Sequence, residues 1–476
     1  MSKNIYHMMY GTPFSLLCRE GRNWGIRCIF LSLILSSCGI YTRYKPAKEV
    51  PESLYGEEVA TDDSTSLADL KWREIFSDPT LQELIERGLQ QNADLRTAQL
   101  RVEEAEAALL TARLAYLPSF ALAPQGTASS FDRMKATQIY QLPVVANWQL
   151  DLFGSIRNSK RQAEAIYEQS EDYRQAVQTG VIFGIANLYY TLRMLDEQLD
   201  IAEHTEHSWG ETVEAMRALM EAGMSSEAAV AQMEAARYGV QSSVLDLKEQ
   251  INQAENSLAL LLAEPPHAVS RKSWAEESFV FPDSLSAGVP VQLLARRPDV
   301  RAAERGLEAA FYGVNAARSA FWPNITLSGS AGWTNSAGTM IVNPGKLVAA
   351  AVGQLTQPLF AQGKLKAGYK IAKAQYEEAS LAFQQTVLNA GAEVNEALVA
   401  CQTSRKKSEV VSAQVASLQR AYETTSLLMK HGNTNYLEVL TARQALLGAQ
   451  LQQSAVRLIH IQSVIRLYLA LGGSCE

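Results

Sequence analysis

The chain has 476 residues, 47% hydrophobic and 20% charged, so it can bury a large core and is not globally disordered. Its mean hydropathy is −0.10 and no uninterrupted apolar run reaches the ~18 residues of a spanning helix, which excludes a purely helical membrane protein. A net charge of −7 has the wrong sign for a phosphate-backbone surface and argues against nucleic acid as a partner.

At the N-terminus, Arg22 and Arg27 precede the apolar run Ile29–Leu35, which ends in Ser36-Ser37-Cys38-Gly39. A basic flank, a core too short to span and small residues at its end predict a signal peptide over residues 1–37. Leu35-Ser36-Ser37-Cys38 resembles a bacterial lipobox, in which cleavage leaves the cysteine first and acylated, so Cys38 is the expected lipid anchor. Residues 38–66, with Pro46, Pro51 and Asp62-Asp63-Ser64, read as a lipid-anchored tether.

From residue 67 the chain repeats itself. Asp94-Leu95-Arg96-Thr97-Ala98 matches Asp299-Val300-Arg301-Ala302-Ala303, and at the same offset Glu103, Ala112-Arg113 and Pro118 match Glu308, Ala317-Arg318 and Pro323. Further on, Gly154, Ile156, Arg157, Met220 and Gly223 fall on Gly363, Leu365, Lys366, Met429 and Gly432. A period above 200 residues is far longer than any solenoid unit, so this is the duplication of a half-protein: a first repeat over 67–264, a linker over 265–290, a second repeat over 291–471 and a tail over 472–476.

Each repeat has the same order of elements. A helix leads into a β-hairpin, at about 118–153 and again at about 323–360, followed by a very long helix, a glycine turn and a returning helix. Residues 362–431 contain no proline and carry a helical apolar stripe through Ile371, Ala374, Phe383, Val387, Ala390, Val394 and Leu398. Such a helix is on the order of 100 Å long, which no compact domain needs. Its counterpart covers 155–222, and Gly223 and Gly432 supply the turns. The Ala-rich stripe suits close helix packing in a barrel of helices.

In the hairpins, Tyr140, Leu142, Val144, Ala146, Trp148, Leu150 and Leu152 alternate with Gln141, Asn147, Gln149 and Asp151. In the second repeat, Ile325, Leu327, Gly329, Ala331 and Trp333 alternate with Asn324, Thr326, Ser328 and Ser330. Period-2 alternation over about 10 residues with aromatics toward the ends is how a transmembrane β-strand reads, although a half-buried soluble sheet gives the same pattern and Pro143 counts against a continuous strand. Topology separates the two. One hairpin per repeat gives four strands per chain, single-chain barrels need about eight, and an open sheet would leave unpaired edges in lipid. Closure therefore requires several chains.

The stretch Leu293-Leu294-Ala295-Arg296-Arg297-Pro298-Asp299-Val300-Arg301-Ala302-Ala303-Glu304 closely resembles the signature of the TolC-like outer-membrane efflux ducts, in their OprM/NodT-like lipoprotein branch. The resemblance extends over about 67–471 through Trp72, Phe76, Asp78-Pro79, Trp148-Gln149-Leu150-Asp151-Leu152-Phe153-Gly154, Phe321-Trp322-Pro323, Leu355-Thr356-Gln357-Pro358-Leu359-Phe360 and Leu437-Glu438-Val439-Leu440. It implies a mainly α chain with a small β part that forms a homotrimer, in which a barrel of about 12 strands in the outer membrane continues into a periplasmic helical barrel. It also implies a periplasmic adaptor and an inner-membrane pump, of the proton-driven resistance-nodulation-division type, as partners besides outer-membrane lipid. Such a duct is not an enzyme and carries no cofactor. A duct for protein secretion is the alternative, and a soluble coiled-coil scaffold a more distant one; the exported substrate is not legible.

The resemblance further implies a periplasmic aperture lined by the helix after Gly432. Family members carry acidic residues six and nine positions beyond that glycine, which here are Glu438 and Thr441, with Leu437 beside them. Three copies of Glu438 would form a cation-attracting ring, weakened by Thr441, whereas a lone Glu438 reads as a solvated helix carboxylate. Ala222-Gly223-Met224 and His431-Gly432-Asn433 are the expected adaptor-docking turns. Arg296-Arg297-Pro298-Asp299 invites reading as an anion site, but Pro298-Asp299 also place a helix-compatible φ and a first-turn carboxylate where a helix starts, which makes the motif structural. His204 and His207 lack a third metal ligand, and Cys401 sits in a helical stripe as a small packed residue.

Overall fold

A computed structural model of the chain describes residues 43–45, 54, 70–132, 134, 136–274, 296–334, 346–431 and 434–473. The signal segment, Cys38, and most of the tether and the linker lie outside the described residues. The elements run α1 (Trp72–Ile75), α2 (Pro79–Gln91), α3 (Ala93–Leu114), β1 (Ser119–Leu122), β2 (Gln125–Ser129), β3 (Thr137–Leu150), α4 (Ser155–Glu221) and α5 (Glu227–Leu261), then α6 (Pro298–Ser319), β4 (Asn324–Thr334), β5 (Lys346–Thr356), α7 (Lys364–Lys430) and α8 (Tyr436–Ala470). The duplication is visible in helix lengths: α3 and α6 have 22 residues each, α4 and α7 have 67, and α5 and α8 have 35. By internal contacts the chain divides into two compact units, and each takes segments from both repeats.

The first unit holds the sheet, an antiparallel array in the order β1–β3–β4–β5, with β2 also on β3. Five strands thus fill the four expected places, because β1 and β2 lie end to end along β3 in a single register: Leu122 faces Val144 and Gln125 faces Gln141. Two prolines account for the break. The Ala123 N–H donates to the Pro143 carbonyl at 3.0 Å, but Pro143 has no N–H to return, and Pro124 has none to offer. On the other side of β3, where Pro143 needs no donor, the strand continues unbroken against β4 from Gln141–Thr334 to Leu150–Ile325. Gly332 faces Pro143 there, and a Cβ on it would lie 2.2 Å from the Leu142 carbonyl oxygen and 2.4 Å from the Pro143 Cα.

The register sorts the side chains onto two faces. Phe120, Leu122, Leu142, Val144, Trp148, Leu327, Trp333, Leu347 and Leu355 share one face, and all are exposed. Gln125, Gln141, Asn147, Ser328, Ser330 and Thr334 share the other. From Tyr140 to Leu150, both within β3, the apolar face spans about 33 Å along the strand, or about 25 Å once inclined at the ~40° usual in barrels, which is the height of a membrane barrel's apolar band. The outer edges of β1/β2 and of β5 pair with no strand among the described residues.

The second unit is helical. Trp72, Phe76, Leu81 and Ile85 from α1 and α2 pack against Ile182, Ile185, Tyr189 and Leu192 of α4, Val394 and Leu398 of α7, and Ile461, Ile465 and Tyr468 of α8. Asp78, fully buried, caps α2 through the Thr80 N–H (2.9 Å) and accepts the Tyr189 hydroxyl; these carboxylate contacts and burial push the Tyr189 pKa well above its ordinary value, burial contributing most. The chain beyond α5 is tied into the same core, with Val269 and Trp274 buried, Arg193 donating to the Ser273 carbonyl at 2.8 Å, and Arg271 paired with Asp196 and Glu255. Leu54, the one described residue between 46 and 69, packs against Gly391 of α7, where a Cβ would lie 2.5 Å from its Cγ.

Candidate functional site

The residues expected at the aperture sit where α8 begins. Asn435 caps the helix by accepting the N–H groups of Leu437 (3.0 Å) and Glu438 (3.2 Å), which leaves Leu437, Glu438 and Thr441 along one exposed stripe, Leu437 at 50% exposure. Glu438 accepts a hydrogen bond from the Thr434 hydroxyl, and Thr441 donates to the Leu437 carbonyl at 2.8 Å. The carboxylate lies in the first turn, where the helix dipole favours negative charge. In the first repeat, Ser226 caps α5 and the position equivalent to Glu438 is Ala229, fully buried beneath Trp209 and Met233. The repeats therefore present different faces at equal positions, and only the second exposes an acid there.

The turns expected to meet the adaptor are described in part. Gly223 has φ +73°, and its N–H donates to the Met220 carbonyl while that of Met224 donates to Leu219, so the two-bond αL cap ends α4. Ala222 and Met224 are exposed. His431 ends α7, exposed, and Gly432 and Asn433 lie outside the described residues.

Sequence reasoning missed Arg443. It lies half-buried two residues beyond Thr441, 4.9 Å from the Trp209 ring and 5.5 Å from that of Tyr422, and reaches the Ser208 carbonyl (3.4 Å) and the Thr212 hydroxyl (3.3 Å). Burial holds its pKa below the usual arginine value, against the pull of Tyr422 and Glu211. It thereby joins α8 to α4 and α7, aided by the Tyr436 hydroxyl on Gln232 of α5 at 3.0 Å. The only sequence signal was a cation on the apolar side of α8.

Arg297 and its neighbours are structural. The buried guanidinium holds Asp299 through two bonds (3.0 and 2.6 Å), Glu393 of α7 at 2.7 Å and the Ala470 carbonyl at the end of α8 at 3.2 Å. Burial opposes both charges, yet the ion pairs outweigh it, raising the Arg297 pKa and lowering that of Asp299. Pro298 opens α6. Gly472, at φ +74°, packs on the backbone of Arg296 and Arg297, where a Cβ would meet Arg296 at 2.9 Å. His204 and His207 pair with Asp200 and Glu211 on the exposed side of α4, and no three potential ligands gather among the described residues.

The model of the family described as Outer membrane efflux protein matches residues 84–264 and again 289–473. The chain belongs to the outer membrane efflux protein family. Among its relatives, the solvent efflux pump outer membrane protein SrpC of Pseudomonas putida is 30% identical, over 94% of this chain and 97% of that one. The cation efflux system protein CusC of Escherichia coli is 28% identical over 94% and 98%. The crystal structure of the Neisseria gonorrhoeae MtrE outer membrane channel in its open state superposes with a TM-score of 0.81 at 28% identity, covering 91% of this chain and 97% of that one. As an outer membrane efflux protein the chain is placed in the outer membrane, and the exposed apolar face of its sheet is the part suited to lipid.

Proposed function

We propose that three copies of the chain close one barrel and one helical tunnel, forming the exit duct through which an inner-membrane pump of the proton-driven resistance-nodulation-division type and its periplasmic adaptor pass small molecules to the outside. The duct conducts passively and catalyses nothing. The observation that carries this is the sheet: an amphipathic array of four strand places whose outer edges are both open among the described residues, which needs further chains to satisfy its backbone in lipid. Acylation of Cys38 anchors the N-terminus, and the turns at Ala222-Gly223-Met224 and His431-Gly432-Asn433 meet the adaptor. Leu437, Glu438 and Thr441 ring the periplasmic aperture, with three Glu438 carboxylates favouring cations and Thr441 leaving that ring weaker than a double acidic one. Relatives named for cations and for solvents both match nearly the whole chain, which supports assigning cargo choice to the pump.

The test is conductance of the detergent-purified protein in planar bilayers. Wild type is expected to give a small cation-selective conductance, and Glu438→Ala to reduce the cation preference about two- to threefold. Unchanged selectivity removes Glu438 from the aperture, and a folded protein that neither inserts nor trimerises overturns the duct.

A further inference from the structure

Where the sheet of the first unit gives way to helices, an open cleft of about 700 Å³ lies among Phe153, Arg318, Phe321, Trp322, Gln357 and Tyr369. Its walls are ordered aromatics. Phe153 stacks on Trp322 at 5.4 Å and 13°, Phe321 meets Tyr369 edge-on at 6.2 Å, and the Gln357 amide donates to the Phe321 carbonyl at 3.1 Å. Arg318, at the last turn of α6, is exposed and has no carboxylate within ion-pair distance among the described residues. Phe153 of the cleft wall lies three residues beyond Leu150, where β3 and its apolar face end; the inference below rests on the barrel proposed above, in which this is the level of the lipid headgroups on the helix side.

Two further observations give the cleft a ligand sign. The first is duplication: Ala112-Arg113-Leu114-Ala115-Tyr116-Leu117-Pro118 and Ala317-Arg318-Ser319-Ala320-Phe321-Trp322-Pro323 both place an arginine one turn before an aromatic, a large apolar residue and a strand-opening proline. The second is local electrostatics. Helix N-termini favour acids, yet the first turns of α4 and α7 contain none. In α4 Asp151 compensates, accepting the N–H groups of Ile156 (3.0 Å) and Arg157 (2.8 Å). The matching position before α7 is Phe360, and α7 opens instead with Lys364, Lys366 and Lys370, all exposed and without ion-pair partners among the described residues. Cations gathered against a helix dipole, in a chain of net charge −7, break a local rule without an internal compensation, as binding sites do.

We infer that this cleft binds the headgroup of an anionic phospholipid from the adjoining leaflet, with Arg318 forking onto the phosphate, the α7 lysines supplying the surrounding positive field, and Trp322 and Tyr369 flanking the glycerol region. Arginine matches phosphate in two parallel hydrogen bonds, and aromatic rings with a polar edge settle at the membrane–water boundary. Juxtamembrane cations draw anionic lipid in the same way.

Native mass spectrometry of the detergent-purified full chain tests this, titrating dioleoylphosphatidylglycerol or dioleoylphosphatidylcholine against wild type, Arg318→Gln and Lys406→Gln, an exposed cation of α7 remote in sequence from the cleft. Phosphatidylglycerol is expected to bind wild type and Lys406→Gln alike, in both cases more tightly than phosphatidylcholine, whose choline cation the lysines repel, and to bind Arg318→Gln about tenfold more weakly. Trp322→Leu, which keeps the charge, is expected to weaken both lipids. Equal affinity for the two lipids, or an Arg318→Gln protein that inserts into neutral vesicles yet retains full phosphatidylglycerol binding, overturns the inference. Displacement of the lipid by millimolar inorganic phosphate would mark a free-anion site and overturn it as well. Failure of every form to insert into neutral vesicles would instead count against the barrel.

Discussion

Arg297 shows how one residue can fasten three helices. Its guanidinium is buried while Asp299 and Glu393 are about half exposed, so removing the cation strands carboxylates that water can partly rescue. Arg297→Ala is therefore expected to cost about 3 kcal/mol, the low end for breaking a buried pair, read as a lowered thermal unfolding midpoint; an unchanged midpoint would refute the clamp. His460 offers a second test. Its Nδ1 meets the Ser404 hydroxyl at 2.9 Å, and burial, then Arg405, pushes its pKa below 6.5. A base whose folded pKa is depressed resists protonation in the folded state, so the stability it contributes is present above the unfolded pKa and drains as pH falls through and below 6.5. Folding stability measured between about pH 7 and 5 should thus decline more steeply for wild type than for His460→Gln. Both residues were visible in the sequence, but only Arg297 carried a local motif. His460 and Arg443 acquire their surroundings from helices far away in sequence, which periodicity cannot see.

At the scale of elements, the long helices were legible because an uninterrupted 3.6-residue stripe without proline admits few other structures. The strands were legible by alternation, and Pro143 was the point of tension. It does not end β3; it shifts the damage to the neighbour, splitting the outgoing strand into β1 and β2, because a proline in a sheet injures only the side its missing N–H would have faced. The intact side depends on Gly332. Gly332→Val is expected to cost about 3 kcal/mol through overpacking against Leu142 and Pro143, seen as loss of heat-resistant folded protein on gels. Gly329→Val, whose nearest cross-strand atom is the Ala350 carbonyl oxygen at 3.8 Å, should be tolerated. The exposed side of α8 was less legible: its stripe has low contrast, so only the structure separates buried Val439 and Leu440 from exposed Leu437, Glu438 and Thr441.

For the whole molecule, the duplication set the helix lengths identically in both repeats while the faces diverged, as Ala229 and Glu438 show. Assembly is open to direct measurement. With Ala121→Cys on the β1 edge and Ala350→Cys on β5, a flexible bismaleimide is expected to link separate chains into a covalent trimer in membranes; exclusively intrachain products would refute edge-to-edge closure. The two edges also differ in kind. One is cut by Pro124, whereas β5 runs without proline from Lys346 to Thr356. A ring closed by unlike edges joins head to tail, and each subunit must offer both halves of the junction. A chain with one sound edge and one ruined edge would still be recruited and would then leave the circle open. Inheritance of such a defect beside a healthy copy would consequently be dominant, poisoning wild-type subunits in proportion to the mixed rings formed.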